Sequence, residues 1–143
     1  LMQTEGIGLV PWGPLGGGFL TGKYSRGQQG TGRLAHTPDS YEESWQRRDT
    51  EQNWQVLDAL NDIANAHLAT VSQVSIAWLL QQPIIASVLI GVRTLDQLKD
   101  NLGAISVQLS DEEVSQLNTL SQLPELYPYR MIEAYAKRSF PNT

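Results

Sequence analysis

The sequence predicts an α/β fold in which two short parallel strands are accompanied by several amphipathic helices. Three observations lead there. Residues 7–10 are a brief apolar run bounded by turn residues, the pattern of a buried parallel strand. The stretch Ala86-Ser-Val-Leu-Ile-Gly-Val-Arg-Thr94 repeats that pattern and breaks at Gly91. Between them, apolar residues recur at helical spacing from Trp54 to Leu80.

Residues 1–5 read as the end of a helix, and the first strand follows over 7–10. It empties into Trp12-Gly-Pro-Leu-Gly-Gly-Gly18, where Pro11 and Pro14 stiffen the turn and Trp12 offers an indole face at the strand mouth. Glycines lack a Cβ, so the amides of this stretch can lie against a flat or anionic ligand, and consecutive amides can form an anion-binding nest. The stretch therefore reads as a dinucleotide cradle, or as a glycine-rich surface loop. Residues 25–40 show little periodicity and read as a long loop, either a binding loop or a solvated one.

Asp39 or Ser40 can cap a helix over 41–48, with acidic residues in its first turn and Glu43 four residues before Arg47. A longer helix over 50–67 places Trp54, Leu57, Leu60, Ile63 and Ala64 on one face. A third, over 70–81, buries Val74, Ala77, Trp78 and Leu80 before Pro83 ends it. Trp54 and Trp78 read as core aromatics because both lie in apolar stripes.

The second strand, over 86–92, gives way to a helix over 95–102 with Leu95, Leu98 and Leu102 on one face. Thr94 can cap it, leaving amide donors for an anion, and Arg93 stands beside that terminus. A guanidinium makes paired hydrogen bonds to phosphate oxygens, so Arg93 suits a dinucleotide with an extra ribose phosphate, or is a solvated charge. Residues 103–108 return to the surface. Ser110 and Glu113 then form a capping box on a helix over 111–121 that buries Val114, Leu117 and Leu120. Residues 124–143 read as an aromatic, partly helical tail that is compatible with packing on a neighbouring chain, and no substrate role is assigned to it.

Composition narrows the function. With 143 residues, 41% hydrophobic and 17% charged, the chain is an ordinary globular domain able to bury one modest core. A net charge of −5 argues against nucleic acid as a partner. No apolar run approaches the roughly 20 residues needed to span a bilayer, so no membrane partner is expected. The absence of cysteine fits a cytoplasmic protein and leaves any redox chemistry to a cofactor. His36 and His67 read as structural.

Three stretches together resemble the C-terminal part of the aldo-keto reductase family: Val10-Pro-Trp-Gly-Pro-Leu-Gly-Gly-Gly-Phe-Leu-Thr-Gly-Lys-Tyr24, Val74-Ser-Ile-Ala-Trp-Leu-Leu80 and Val88-Leu-Ile-Gly-Val-Arg-Thr-Leu-Asp-Gln-Leu-Lys-Asp-Asn-Leu-Gly-Ala104. Their order and spacing agree from the first residues to about Leu123. The resemblance implies a nicotinamide-dependent (β/α)8 TIM barrel in which the two strands are the seventh and eighth. Barrels of this kind bind phosphate in the loops after those strands, which agrees with the cradle reading. A complete barrel needs about 250 residues, so residues 1–143 are expected to be a single partial domain. The chain would be an incomplete barrel, either a fragment of a longer reductase or a natural half-size protein.

By the same resemblance Trp12 stacks on the nicotinamide, while Gly13, Pro14, Leu15 and Gly17 hold the pyrophosphate with Lys23 and Arg33. Gly91, Arg93, Gln97 and Asn101 hold the adenosine end, with Asp100 a weaker candidate there, and the cofactor is NADP. The family draws its catalytic tyrosine, lysine, aspartate and histidine from the first half of its barrel. No catalytic residue is therefore expected here, and the chain alone should not turn over the small carbonyl substrate of the parent enzyme. The alternative is a non-enzymatic NADP-binding regulatory subunit resembling the potassium-channel β-subunits. Two strands with open edges should also drive self-association.

Overall fold

The computed structural model describes residues 2–41, 44–123, 128 and 131. Six α-helices lie among them: α1 Met2–Glu5, α2 Trp45–Arg48, α3 Glu51–Ala66, α4 Val71–Leu80, α5 Leu95–Gly103 and α6 Asp111–Leu120. Three 3-10 turns accompany them, Gly16–Thr21, Arg33–His36 and Ala104–Ser106. None of these helices is long and apolar enough to cross a membrane by itself.

The capped helices form where local chemistry dictates them. Thr70 accepts the Gln73 amide while the Gln73 side chain accepts the Thr70 amide, and Ser110 and Glu113 repeat the exchange on α6. Thr50 and Thr94 accept the amides of Asn53 and Gln97 at the starts of α3 and α5. Each such cap stabilises by about 1 kcal/mol, because it satisfies donors that the helix itself leaves unpaired.

Helix α3 is the spine. It buries Trp54, Leu57, Ala59, Leu60, Ile63 and Ala64, and it serves two cores. Toward its C-terminal half, Leu60, Ile63 and Ala64 pack with Val74 and Ala77 of α4, Leu117 of α6 and Leu109. Toward its N-terminal half, Trp54 and Leu57 close an aromatic cluster with Phe19, Tyr24, Leu34 and Trp45. Phe19 and Trp54 have ring centroids 4.8 Å apart, and Tyr24 and Trp45 5.6 Å. Tilted pairs at this spacing add to what their burial supplies.

Several expectations need correction. The two predicted strands do run parallel, but they meet in a single bridge, Leu9 with Ile85, rather than in a ladder. The Leu9 amide donates to Ile84 O at 2.7 Å and the Ala86 amide to Leu9 O at 2.9 Å. A strand, unlike a helix, takes its hydrogen bonds from neighbours; with one neighbour each, these segments stay extended without becoming a sheet, and Ile7 and Leu89 are exposed instead of buried. Leu80, at the end of α4, and Leu95 and Leu102 of α5 are likewise exposed. Trp78, Val114 and Leu120 are only partly buried at the edge of the core.

The helix expected over 41–48 is the single turn of α2. Tyr41 instead sits in a turn, donating to Pro38 O at 3.0 Å, and the Asp39 carboxylate accepts from Gln46 rather than capping. Glu43 and the tail over 124–143, apart from positions 128 and 131, lie outside the described residues.

Candidate functional site

The parallel bridge decides where the candidate residues fall. Because both segments run the same way, each carries its following loop to the same end: 12–18 after the first, 91–94 after the second. Their closest approach requires a glycine. A Cβ on Gly8 would sit 2.6 Å from the Ala86 Cβ, so no larger residue fits there without parting the segments.

In the first loop Trp12 is 70% exposed at the mouth of its segment. Gly16, Gly17 and Gly18 all take positive φ, 56°, 69° and 94°, which side-chain-bearing residues rarely adopt. The nest of consecutive amides does not form as expected. The Gly16 amide donates to Gly13 O and the Gly18 amide to Leu15 O, both at 2.9 Å, so these two donors close the turn on itself. Positive charge comes from side chains instead. Lys23 folds back over the turn, its Nζ 3.1 Å from where a Gly18 Cβ would lie and 5.1 Å from the Tyr24 ring centroid.

The loop over 25–40 is anchored. Arg26 pairs with Asp58 of α3 at 2.5 Å and with Glu51 at 3.6 Å. Leu34 is fully buried in the aromatic cluster, and its amide donates to the Tyr24 hydroxyl at 3.4 Å. Gly32 lies against Tyr24 so closely that a Cβ there would collide with the phenol oxygen, and the same Cβ would lie 3.1 Å from Lys23 Cε. Arg33, next in the chain, is exposed and opens the 3-10 turn Arg33–His36. Tyr24, Leu34 and Trp45 do this anchoring, and none was singled out from sequence. The signal was present as two aromatics and a leucine bracketing a glycine-rich loop.

The second loop behaves differently. Thr94 accepts the Gln97 amide at 3.2 Å, and the Gln97 carboxamide accepts the Arg93 amide at 2.9 Å. The cap thus consumes a donor expected to remain for an anion, and Gln97 fixes the backbone of Arg93. Gln97 and Asn101 lie four residues apart on one side of α5, and Arg93 precedes the helix; Arg93 and Gln97 are exposed and Asn101 is buried. Asp100 is engaged in packing. Its carboxylate accepts from the Thr70 hydroxyl at 3.2 Å and from Gln73 at 3.1 Å, pinning α5 to the start of α4.

Helix α4 stands between the two groups. Its Val71 Cγ2 would touch a Cβ on Gly22 at 3.3 Å, and its Gln73 donates to Asp100 O at 3.0 Å. An open depression of about 400 Å3, lined by His36, Pro38, Asp39 and Trp45 among others, includes none of the candidate residues. His67 is structural: its Nε2 lies 2.9 Å from Glu113 Oε1 and joins the end of α3 to the start of α6.

Residues 1–122 match the profile of the aldo/keto reductase family. The chain is 32% identical over 121 residues to protein tas of Escherichia coli strain K12, covering 85% of this chain and 34% of that protein. It is 30% identical over 118 residues to L-glyceraldehyde 3-phosphate reductase of Escherichia coli O157:H7, covering 82% and 34%. A probable voltage-gated potassium channel subunit beta of Oryza sativa subsp. japonica is 30% identical over 125 residues, covering 85% and 38%. The chain thus spans about a third of the length of these relatives.

Proposed function

Since the chain belongs to the aldo/keto reductase family, we propose that it is the cofactor-holding, C-terminal part of a (β/α)8 barrel in an NADP-dependent reductase of aldehydes or ketones. The observation that carries this reading is the parallel bridge at Leu9 and Ile85, which sends the glycine turn and the Arg93 turn to one end. In barrels and open α/β sheets, ligands bind at that end of the strands.

The residues present fit such a cofactor. The turn at Gly16 to Gly18 offers backbone that no Cβ covers, with the Lys23 ammonium beside it, and Arg33 of the following loop would supply a second cation. Trp12, exposed at the segment mouth, offers a flat face for the nicotinamide, and Gly13, Pro14, Leu15 and Gly17 shape the approach. Arg93, its backbone fixed by Gln97, suits the extra ribose phosphate, and Gly91 and Asn101 border the same end. Asp100 serves by holding α5 in place. The bound nicotinamide would supply the hydride. The acid that protonates the developing alkoxide would come from the family's tetrad, which the resemblance places in the first half of the barrel, so the chain alone is inactive in this reading. A cytoplasmic location is part of the same proposal, supported by the cysteine-free composition.

A second reading is favoured by the potassium-channel relative: an NADP-binding regulatory subunit that uses the same cradle without turnover. The tetrad positions of the longer protein separate the two, because an intact tetrad supports reduction and a degraded one supports binding alone.

Tryptophan fluorescence tests the cradle directly. Titration of the 143-residue chain with NADPH is expected to give saturable quenching, tighter than with NADH. Arg93→Ala should weaken NADPH by about 1–3 kcal/mol, the worth of a charged hydrogen bond, and NADH much less. Equal losses for both would remove Arg93 as the selector, and no saturable quenching by either would remove cofactor holding from this chain.

A further inference from the structure

We propose that Gln73, on the first turn of α4, is the positioning residue for the adenosine end of the site: it seats α5, and with α5 Arg93 and Gln97, at a fixed place relative to the glycine turn. The role of that end rests on the cofactor reading above; the seat itself is argued from the side chains.

Apolar packing alone does not seat α5. Of its leucines, Leu95 and Leu102 are exposed and Leu98 is only partly buried. The helix it leans on is firmly placed, since Val74 and Ala77 of α4 are buried in the larger core. A carboxamide joins the two. Gln73 Nε2 donates to Asp100 O at 3.0 Å and to Asp100 Oδ1 at 3.1 Å, while Gln73 Oε1 accepts the Thr70 amide at 3.1 Å. The Thr70 hydroxyl donates to Asp100 Oδ2 and accepts the Gln73 amide, both at 3.2 Å. Donor and acceptor of the carboxamide are both engaged, so neither a carboxylate nor an apolar isostere reproduces the pattern. Gly103 completes the seat. Its φ of −59° is open to any residue, but a Cβ there would collide with Gln73 Nε2, so it is the close approach that calls for glycine.

The same helix also meets the glycine turn. Ser75 Oγ donates to Leu20 O at 3.4 Å, and Val71 Cγ2 lies 3.3 Å from the position of a Cβ on Gly22. Leu20 belongs to that turn, its amide donating to Leu15 O at 3.2 Å. One helix therefore holds the glycine turn on one side and, through Gln73, the Arg93 turn on the other. The transmission to Arg93 is short. The Gln97 carboxamide accepts the Arg93 amide at 2.9 Å, so the backbone of Arg93 moves with α5. A guanidinium recognises phosphate by direction as well as by charge. Releasing α5 from Gln73 thus displaces the Arg93 fork and leaves the glycine turn where it is.

The test compares the wild-type chain with Gln73→Glu, with Gly103→Ala and with Gln73→Glu combined with Asp100→Asn. NADPH and NADH are titrated by tryptophan fluorescence, amide hydrogen exchange is followed without ligand, and thermal melts check folding. Gln73→Glu keeps the acceptor for the Thr70 amide but sets a second carboxylate against Asp100. It should weaken NADPH by about tenfold, the worth of a charge-assisted hydrogen bond lost at Arg93, and NADH much less. Exchange of the α5 amides should quicken while those of α3 stay protected. Asp100→Asn returns a donor opposite the new carboxylate, so the double variant should recover most of the NADPH preference, which a general loss of stability would not allow. Gly103→Ala changes no polar group and pushes the Gln73 carboxamide off Asp100; it should act in the same direction, and it serves if Gln73→Glu fails to fold. Equal weakening of both cofactors, a double variant no better than the single one, or α5 exchange as slow as in wild type overturns the proposal. The cofactor reading fails separately: a wild type that binds neither cofactor, with α5 still released by the substitutions, removes the dinucleotide and keeps Gln73 as the seat of α5.

Discussion

Leu68 holds a backbone conformation that its own side chain disfavours. It follows the end of α3 with φ of +52°, the one described non-glycine residue with positive φ, and 96% of it is exposed. The bonds around it are those of a helix-ending motif normally built on glycine: Leu68 N to Asn65 O at 3.3 Å and Ala69 N to Ala64 O at 2.9 Å. Left-handed geometry costs a Cβ-bearing residue about 1–2 kcal/mol, and an exposed leucine recovers little of that through burial. Glycine in turn loses more chain entropy on folding, by roughly 0.5–1 kcal/mol. Leu68→Gly is therefore expected to raise stability, by up to about 1 kcal/mol, measured in urea; a lower midpoint would show that Leu68 contributes through contacts. Residues of this kind resist reading from sequence because the pattern, a glycine after the last turn, is missing while the geometry persists.

The capped helices were legible and the extent of the strand pairing was not, and the reason lies in where each finds its hydrogen bonds. Thr70 with Gln73 and Ser110 with Glu113 are complete within four residues, so sequence alone specifies the starts of α4 and α6. The Leu9 and Ile85 segments depend on neighbours distant in sequence, and one bridge is all that forms. That a glycine-rich turn follows the first segment was legible from its residue types, but the inward turn of its amides was not. Element α6 also carries a pH dependence. Burial pushes the Glu113 carboxyl up, but the Ser110 amide and the His67 ring outweigh it, so its pKa lies below the ordinary 4.5. A carboxylate with a lowered folded pKa stabilises the fold above its unfolded value, and that contribution is lost as pH falls through the folded one. Stability should therefore drop as pH falls below 4.5. Glu113→Gln keeps the capping acceptor but removes the charge, so it should be less stable than wild type at pH 7 and approach it at low pH. Parallel curves for the two proteins between pH 7 and pH 3 would refute this assignment.

At the scale of the whole molecule, apolar surface is distributed unevenly. Two cores close on α3, yet Ile7, Val10, Leu89, Val92, Leu95 and Leu102 are exposed, and they belong to the two extended segments and the helix that follows the second. Leu9 takes its strand bonds from the 84–86 side alone, so the other edge of that segment faces no strand among the described residues. Unpaired edges recruit strands, and contiguous apolar surface is removed from water at about 25 cal/mol per Å2. At that rate even a few hundred Å2 covered by a second copy offsets a substantial part of the cost of association. We therefore expect the 143-residue chain to self-associate. Sedimentation equilibrium should give a mass rising with concentration above 15.9 kDa, and Val10→Asp combined with Leu89→Asp should return it toward the monomer, because a charge in the middle of the patch cannot be buried unpaired. NADPH should leave the association largely intact if the glycine turn and the patch are separate surfaces, whereas dissociation on binding would place them in competition. A single 15.9 kDa species at every concentration would mean that exposed side chains of the two segments are spaced too widely to act as one surface.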